Sequence, residues 1–127
     1  MKNVLKLMIA CVITFFVAAC DTDESADTKA LLTKSLSSNR VYFFYQTTCP
    51  HCHYANEYIS QKYPDLKMIK LDIRSRSNAS LFLKCADKFK LNHNALGTPL
   101  ICMGDHYILG WSDADKAKFD SYVQKFK

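Results

Sequence analysis

The segment VYFFY at 41–45 is followed, after three residues, by Cys49-Pro50-His51-Cys52. An aromatic and β-branched run of this length predicts a strand that is covered on both faces. Two cysteines three positions apart at the start of a helix lie about one turn apart, so their sulfur atoms can form a disulfide. The first cysteine then lies where unpaired backbone N–H groups and the helix dipole stabilise a thiolate, the species that attacks disulfides. This stretch therefore predicts thiol–disulfide exchange.

The residues after the cysteine pair alternate between helical and strand patterns. A helix is expected to run from the motif to about Lys62, and a second strand is expected over 67–73. Ser77 or Asn78 is expected to cap the next helix. The apolar residues of that helix follow the i, i+3, i+4, i+7 spacing of one face: Phe82, Cys85, Ala86 and Phe89.

The last third of the chain predicts a hairpin and a closing helix. Gly104-Asp105 predicts the tight turn between two strands. Ser112 and Asp115 are spaced as in a capping box, which predicts the start of the last helix. The order strand, helix, strand, helix, strand, strand, helix is an α/β layout, in which the first crossover gives parallel strands and the hairpin an antiparallel pair.

This layout resembles the thioredoxin fold, because a CxxC pair follows the first strand and Thr98-Pro99 precedes the hairpin. The resemblance covers about residues 40–127 and implies a central four-stranded mixed sheet flanked by helices. It implies that Cys49 is the nucleophile and that Cys52 resolves the mixed disulfide. It also implies that Thr98-Pro99 is a cis-proline pair that binds substrate, and that the redox-active disulfide serves without any other cofactor or metal.

Two sets of residues disagree about the direction of exchange. The dipeptide Pro50-His51 resembles that of the Dsb-type periplasmic oxidases, in which an imidazolium near the thiolate would stabilise the reduced form. Thr98 before the proline is more similar to the reductive and isomerase branches. Phe43 stands where thioredoxins carry a buried acid, and Lys70 resembles the lysine that partners this acid. Oxidase action is expected slightly ahead of reductase or isomerase action, because His51 would act directly on the thiolate.

The first 19 residues predict an export signal with an apolar core that is too short for a comfortable membrane span. Cys20 follows small residues, as in a bacterial lipobox, although an ordinary signal peptide or an uncleaved anchor would also fit. Residues 20–39 are then expected to form a tether with a short helix, and residues 40–127 the thioredoxin-like domain. The expected location is the bacterial periplasm, lipid-anchored to a membrane, and Asp21 favours the inner membrane.

The charge and the cysteine content limit the kinds of partner that are expected. Loss of the signal removes two lysines and lowers the formal charge from +5 to +3, which is too mild to indicate nucleic-acid binding. The expected partners are protein thiols and disulfides, together with a membrane or periplasmic redox partner, and the expected state is a monomer. Of the six cysteines, Cys85 and Cys102 are either a second, structural disulfide or free buried thiols.

Two other classes of protein share parts of the motif. The run from Cys49 to His53 also matches C-x-x-C-H, the attachment signature of c-type haem. Cytochromes c are largely helical, whereas here the motif follows a strand-like run. A thioredoxin-like carrier of copper or zinc is the second alternative, with Cys49, Cys52 and either His51 or His53 as ligands.

Overall fold

The structure is a computed structural model that describes residues 36–127. The predicted signal segment, the lipidation site at Cys20 and the first part of the tether lie outside these residues. The strands are β1 (Val41–Tyr45), β2 (Met68–Asp72), β3 (Leu100–Met103) and β4 (His106–Leu109). The helices are α1 (Pro50–Lys62), α2 (Arg76–Lys88) and α3 (Asp113–Tyr122), and α3 continues into a 3-10 turn over Val123–Phe126.

The four strands form one mixed sheet in the order β2-β1-β3-β4. β1 and β2 are parallel, with Val41 opposite Met68, because α1 carries the chain across the sheet between them. β3 runs antiparallel to β1 and is joined to β4 by the hairpin turn. Gly104 has a φ of +55° in that turn, a conformation that favours glycine. The predicted central four-stranded mixed sheet flanked by helices is confirmed.

Side chains of β1 alternate between two apolar clusters, one on each face of the sheet. Val41 and Phe43 pack with residues of α1 and α3, whereas Tyr42 and Phe44 pack with residues of α2. The helix residues buried in the first cluster include Cys52, Ala55, Ile59 and Phe119. Those buried in the second are Leu81, Phe82 and Cys85. Because helices cover both faces, β1 has almost no polar side, as its composition predicted.

A disulfide within the second apolar cluster links α2 to β3. Cys85 and Cys102 are bonded, with their Cα atoms 6.5 Å apart. Both residues are buried: Cys85 has no exposed surface, and Cys102 is 4% exposed. Of the two alternatives that the sequence left open for this pair, the structure contains the disulfide.

The starts of the later helices agree only in part with the sequence patterns. Ser112 and Asp115 form the predicted capping box at α3. The expectation that Ser77 or Asn78 caps α2 is wrong, because the helix begins at Arg76 and Ser75 occupies the cap position without a side-chain bond. The Asn78 amide instead donates a hydrogen bond to the backbone carbonyl of Asp72, at 3.0 Å, and ties α2 to the end of β2.

Asp120 of α3 is the centre of a polar cluster that holds α3 against the end of α1. Its carboxylate accepts hydrogen bonds from the hydroxyls of Tyr58, at 2.8 Å, and Tyr63, at 2.6 Å. The Lys62 ammonium forms an ion pair with it at 2.6 Å. Burial raises the pKa of Asp120, but the hydrogen bonds from Lys62, Tyr63 and Tyr58 outweigh burial and leave the pKa below its ordinary value. Burial and the bond to Asp120 raise the pKa of Tyr63 to about 12.

This cluster predicts a stability that depends on pH. Because the pKa of Asp120 is lower in the folded state, its contribution is present above the unfolded value, about 3.9, and is lost as the pH falls through the folded value. We expect Asp120→Asn to lower the free energy of unfolding by about 1–2 kcal/mol at pH 7. Denaturant unfolding at pH 7 and at pH 2.5 measures this difference, which should shrink at the lower pH. Asp87→Asn, which removes an exposed acid that pairs with His93, is the control. Equal losses at both pH values would contradict the prediction.

Candidate functional site

The cysteine pair lies where β1 passes into α1. Cys49 is the N-cap of α1, with φ −90° and ψ 112°, and Pro50 opens the helix in its first turn. Proline suits this position because the backbone N–H that it lacks would have no partner within the helix. The backbone N–H of Cys52 donates to the Cys49 sulfur at 3.2 Å. The Cys49 side chain therefore caps the helix in the way that a serine or aspartate oxygen usually does.

The two cysteines differ in exposure and in acidity. Cys49 is partly exposed, whereas Cys52 is only 3% exposed. Burial raises the pKa of the Cys49 thiol, but hydrogen bonds from the side chains of Cys52 and Thr98 and from the backbone N–H groups of Cys52 and His51 outweigh it, so this pKa lies below its ordinary value. Burial and the hydrogen bond to Cys49 both raise the pKa of Cys52. Cys49 is therefore the sulfur that ionises first.

Thr98-Pro99 lies beside Cys49, although the two segments are far apart in the sequence. The Thr98–Pro99 peptide bond is cis. In its protonated form the Cys49 thiol donates to the Thr98 carbonyl at a sulfur–oxygen distance of 3.4 Å. The Gly110 N–H donates to the Pro99 carbonyl at 2.8 Å, so the end of β4 holds this loop in place. The structure thus brings Thr98 and Pro99 to the cysteine pair.

His51 makes its side-chain hydrogen bond away from the cysteines. Its Nδ1 lies 3.2 Å from the backbone carbonyl of Trp111. A carbonyl oxygen only accepts, so Nδ1 carries the proton. The groups that lower the pKa of Cys49 include the backbone N–H of His51 rather than its imidazole. The sequence carried no signal for Trp111 as the partner, because the chain returns to the site only after β4.

A cleft of about 290 Å³ opens beside the pair, between the end of β1 and the middle of β2. Both cysteines line it, together with Phe43, His53, Asn56 and Lys70. Phe43 is buried in the apolar core below α1. The Asn56 Oδ1 atom is buried and has no hydrogen-bond partner among residues 36–127. Sequence reasoning missed Asn56, although its place one helical turn after Cys52 was a usable signal.

The two alternative readings of the motif receive no support from this geometry. Across the described part of the chain, no three or more His, Cys, Asp or Glu side chains are grouped so as to hold a metal ion. The C-x-x-C-H run lies between a buried strand and its helix in an α/β sheet, rather than in a largely helical protein.

Within residues 36–127, none of the helices has the length and apolar character needed to cross a membrane.

Comparison with known proteins identifies the fold. The chain matches no protein-family model and no curated protein sequence. A glutaredoxin from Archaeoglobus fulgidus is similar in structure, with a TM-score of 0.53 and 16% identity over 72% of this chain and 96% of that one. A buckwheat glutaredoxin–glutathione complex has a TM-score of 0.49 at 13% identity, over 80% of this chain and 84% of that one. Thioredoxin O2 from Arabidopsis thaliana has a TM-score of 0.45 at 19% identity, over 80% and 89% of the two chains. The likeness to the Archaeoglobus protein shows a thioredoxin-like fold, as the sequence predicted.

The hydrogen bond between the two cysteine side chains predicts how substitution of the second changes the first. Cys52→Ala removes a donor to the Cys49 thiolate, so the pKa of Cys49 should rise. Cys52→Ser keeps a hydroxyl donor at the same place, so the pKa should stay closer to that of the wild type. Thiolate absorbance near 240 nm, followed as a function of pH, measures all three proteins. A wild-type Cys49 that titrates at or above the value of a free cysteine, about 8.5, would contradict the assignment.

Proposed function

We propose that this protein is a thiol–disulfide oxidoreductase that exchanges disulfides with protein substrates through Cys49 and Cys52. The observation that carries the proposal is the asymmetry of the pair. Cys49 is reachable from solvent and has a lowered pKa, while Cys52 is buried beneath it with a raised pKa. An exposed thiolate with a protected thiol behind it is the arrangement that a two-step exchange needs.

In the first step the Cys49 thiolate attacks one sulfur of a substrate disulfide. A bond forms between Cys49 and that sulfur, the substrate disulfide breaks, and the second substrate sulfur leaves as a thiolate. In the second step Cys52 loses its proton and attacks the Cys49 sulfur. The Cys49–Cys52 disulfide forms and the remaining substrate sulfur leaves as a thiolate. The substrate gains the two electrons that the dithiol loses, and the reverse sequence oxidises a substrate dithiol.

Thr98 and Pro99 are proposed to hold the substrate chain. The Thr98 carbonyl lies within 3.4 Å of the Cys49 sulfur, so a substrate disulfide that reaches Cys49 also meets the Thr98 backbone. An extended peptide can pair with backbone groups of this kind whatever its sequence. Such pairing would place many different protein disulfides against the same sulfur.

Oxidation of substrates is the direction that we favour slightly over reduction or isomerisation. Hydrogen bonds that stabilise the Cys49 thiolate also stabilise the reduced protein, which makes its disulfide more oxidising. The Pro50-His51 dipeptide, through its likeness to the Dsb-type oxidases, supports the same direction, with His51 as the residue that tunes Cys49. The reduction potential against glutathione decides the direction, since about −120 mV marks a strong oxidant and about −270 mV a reductant. The proposed tuning by the His51 imidazole predicts that His51→Ala lowers the reduction potential by about 30 mV, which is a tenfold change in the equilibrium constant for exchange with glutathione.

The proposed location is the bacterial periplasm, with a lipid on Cys20 anchoring the protein to a membrane, by preference the inner one. The support is the lipobox-like placement of this cysteine in the sequence. A membrane or periplasmic redox partner would restore the dithiol after each turnover, and the protein would act as a monomer. Labelling of cells with a radioactive fatty acid should mark the wild-type protein and leave Cys20→Ala unlabelled and free of the membrane fraction. Equal labelling of both proteins would contradict the anchor.

The proposed roles of the two cysteines predict different failures. Cys49→Ser should abolish both the reduction of insulin and the oxidation of a model dithiol, because no thiolate remains to begin the exchange. Cys52→Ala should keep the first step and accumulate a mixed disulfide with substrate, which non-reducing gels and mass spectrometry detect. Turnover that survives in Cys49→Ser would mean that the wrong nucleophile has been assigned.

A further inference from the structure

A polar atom without a partner lies next to the resolving cysteine. The Asn56 Oδ1 atom is buried and accepts no hydrogen bond within the described part of the protein. Asn56 follows Cys52 by four residues on α1, so the two side chains share one face of the helix. Both line the cleft beside the active site. A buried carbonyl oxygen without a partner is costly, and such atoms are usually satisfied by water.

The cleft suits a water molecule at this position. Its volume of about 290 Å³ far exceeds what one water needs, and a bound water requires two to four polar partners. The Asn56 oxygen, the Cys52 thiol and the Lys70 ammonium are polar groups of its lining. A water there can donate to the Asn56 Oδ1 atom and accept from the Cys52 thiol.

The second step of the exchange needs somewhere for the Cys52 proton to go. Phe43 lies in the cleft at the position where the family resemblance places an acid, and it cannot take up a proton. None of the described residues that line this cleft carries a carboxyl group; its titratable groups are Tyr45, Cys49, Cys52, His53 and Lys70. Cys52 is buried and its pKa is raised, so its attack depends on a group or a water molecule that takes up its proton.

We propose that Asn56 holds a water molecule in the cleft that accepts the Cys52 proton and passes it to solvent as Cys52 attacks the mixed disulfide. In this step the Cys52 S–H bond breaks, and the proton passes to this water and from it to solvent. The Cys52 sulfur bonds to the Cys49 sulfur, and the departing substrate sulfur leaves with the electron pair of the broken disulfide. Asn56 is a positioning residue, because it acts through the water. This inference rests on the proposed function.

The reaction of the reduced protein with Ellman's reagent separates the two steps. Attack by Cys49 releases one coloured aromatic thiolate and leaves the other bound to Cys49. Attack by Cys52 on that mixed disulfide then releases the second. Stopped-flow absorbance at 412 nm should therefore show two phases in the wild-type protein, and the second phase should be absent in Cys52→Ala.

Asn56→Leu should slow the second phase about tenfold and leave the first phase unchanged, because only the proton route is lost. Asn56→Asp should keep the second phase within about twofold of the wild-type rate, since a carboxylate also accepts a hydrogen bond from the water. Gln61→Leu, which changes an exposed amide on the same helix, should leave both phases unchanged. In heavy water, the slowing of the second phase should be larger for the wild-type protein than for Asn56→Leu. Thermal unfolding of each variant shows whether the fold is kept.

The outcomes distinguish this inference from the proposed function. Loss of both phases in the wild-type protein would overturn the proposed function. Two wild-type phases with a second phase that is equally fast in Asn56→Leu would overturn only the role of Asn56. A second phase that is slowed to the same extent in Asn56→Asp and Asn56→Leu would also overturn it, because the water-holding oxygen would then not matter.

Discussion

The hydrogen bond from the Cys52 N–H to the Cys49 sulfur is the interaction on which the site depends. It exists because the chain that leaves β1 places Cys49 at the N-cap of α1 and because Ala55 and Ile59 pack α1 against the sheet. The N-terminal turn of a helix has N–H groups without partners, and a sulfur at the cap position satisfies them best as a thiolate. The lowered pKa of Cys49 thus depends partly on its place at the helix end, in addition to the hydrogen bonds from the side chains of Cys52 and Thr98.

Burial accounts for much of the difference between Cys49 and Cys52. The same helix that exposes Cys49 at its cap carries Cys52 into the apolar cluster below, which raises the pKa of the second thiol. Two sulfurs one turn apart therefore have opposite shifts in pKa, which come from burial and from the hydrogen bonds around each thiol. Thr98 also lowers the pKa of Cys49, and it reaches the pair because β3 starts directly after Pro99 and runs beside β1.

Much of this arrangement follows from local sequence, and the rest does not. The apolar run before Cys49, the Gly104 turn and the Ser112 capping box each report on a few neighbouring residues, so the elements and their order could be predicted. The start of α2 was predicted wrongly, because Asn78 satisfies the Asp72 carbonyl rather than the helix end. The bond from His51 to Trp111 and the cluster around Asp120 join residues that are about 60 positions apart, and no local pattern encodes such pairs. That the Asn56 oxygen has no hydrogen-bond partner within residues 36–127 is likewise a property of the packed helix.

The Cys85–Cys102 disulfide lies apart from the Cys49–Cys52 pair, on the opposite face of the sheet. Cys102 shares β3 with the residues that follow Pro99, yet its side chain and that of Cys85 lie in the apolar layer under α2, on the other face of the sheet from Cys49. A thiolate from solvent cannot approach a sulfur atom there, because the approach would require removing α2 from the sheet. A reductant from solvent should thus reach a disulfide between Cys49 and Cys52 before it reaches the Cys85–Cys102 bond, so that opening the first would leave the scaffold unchanged.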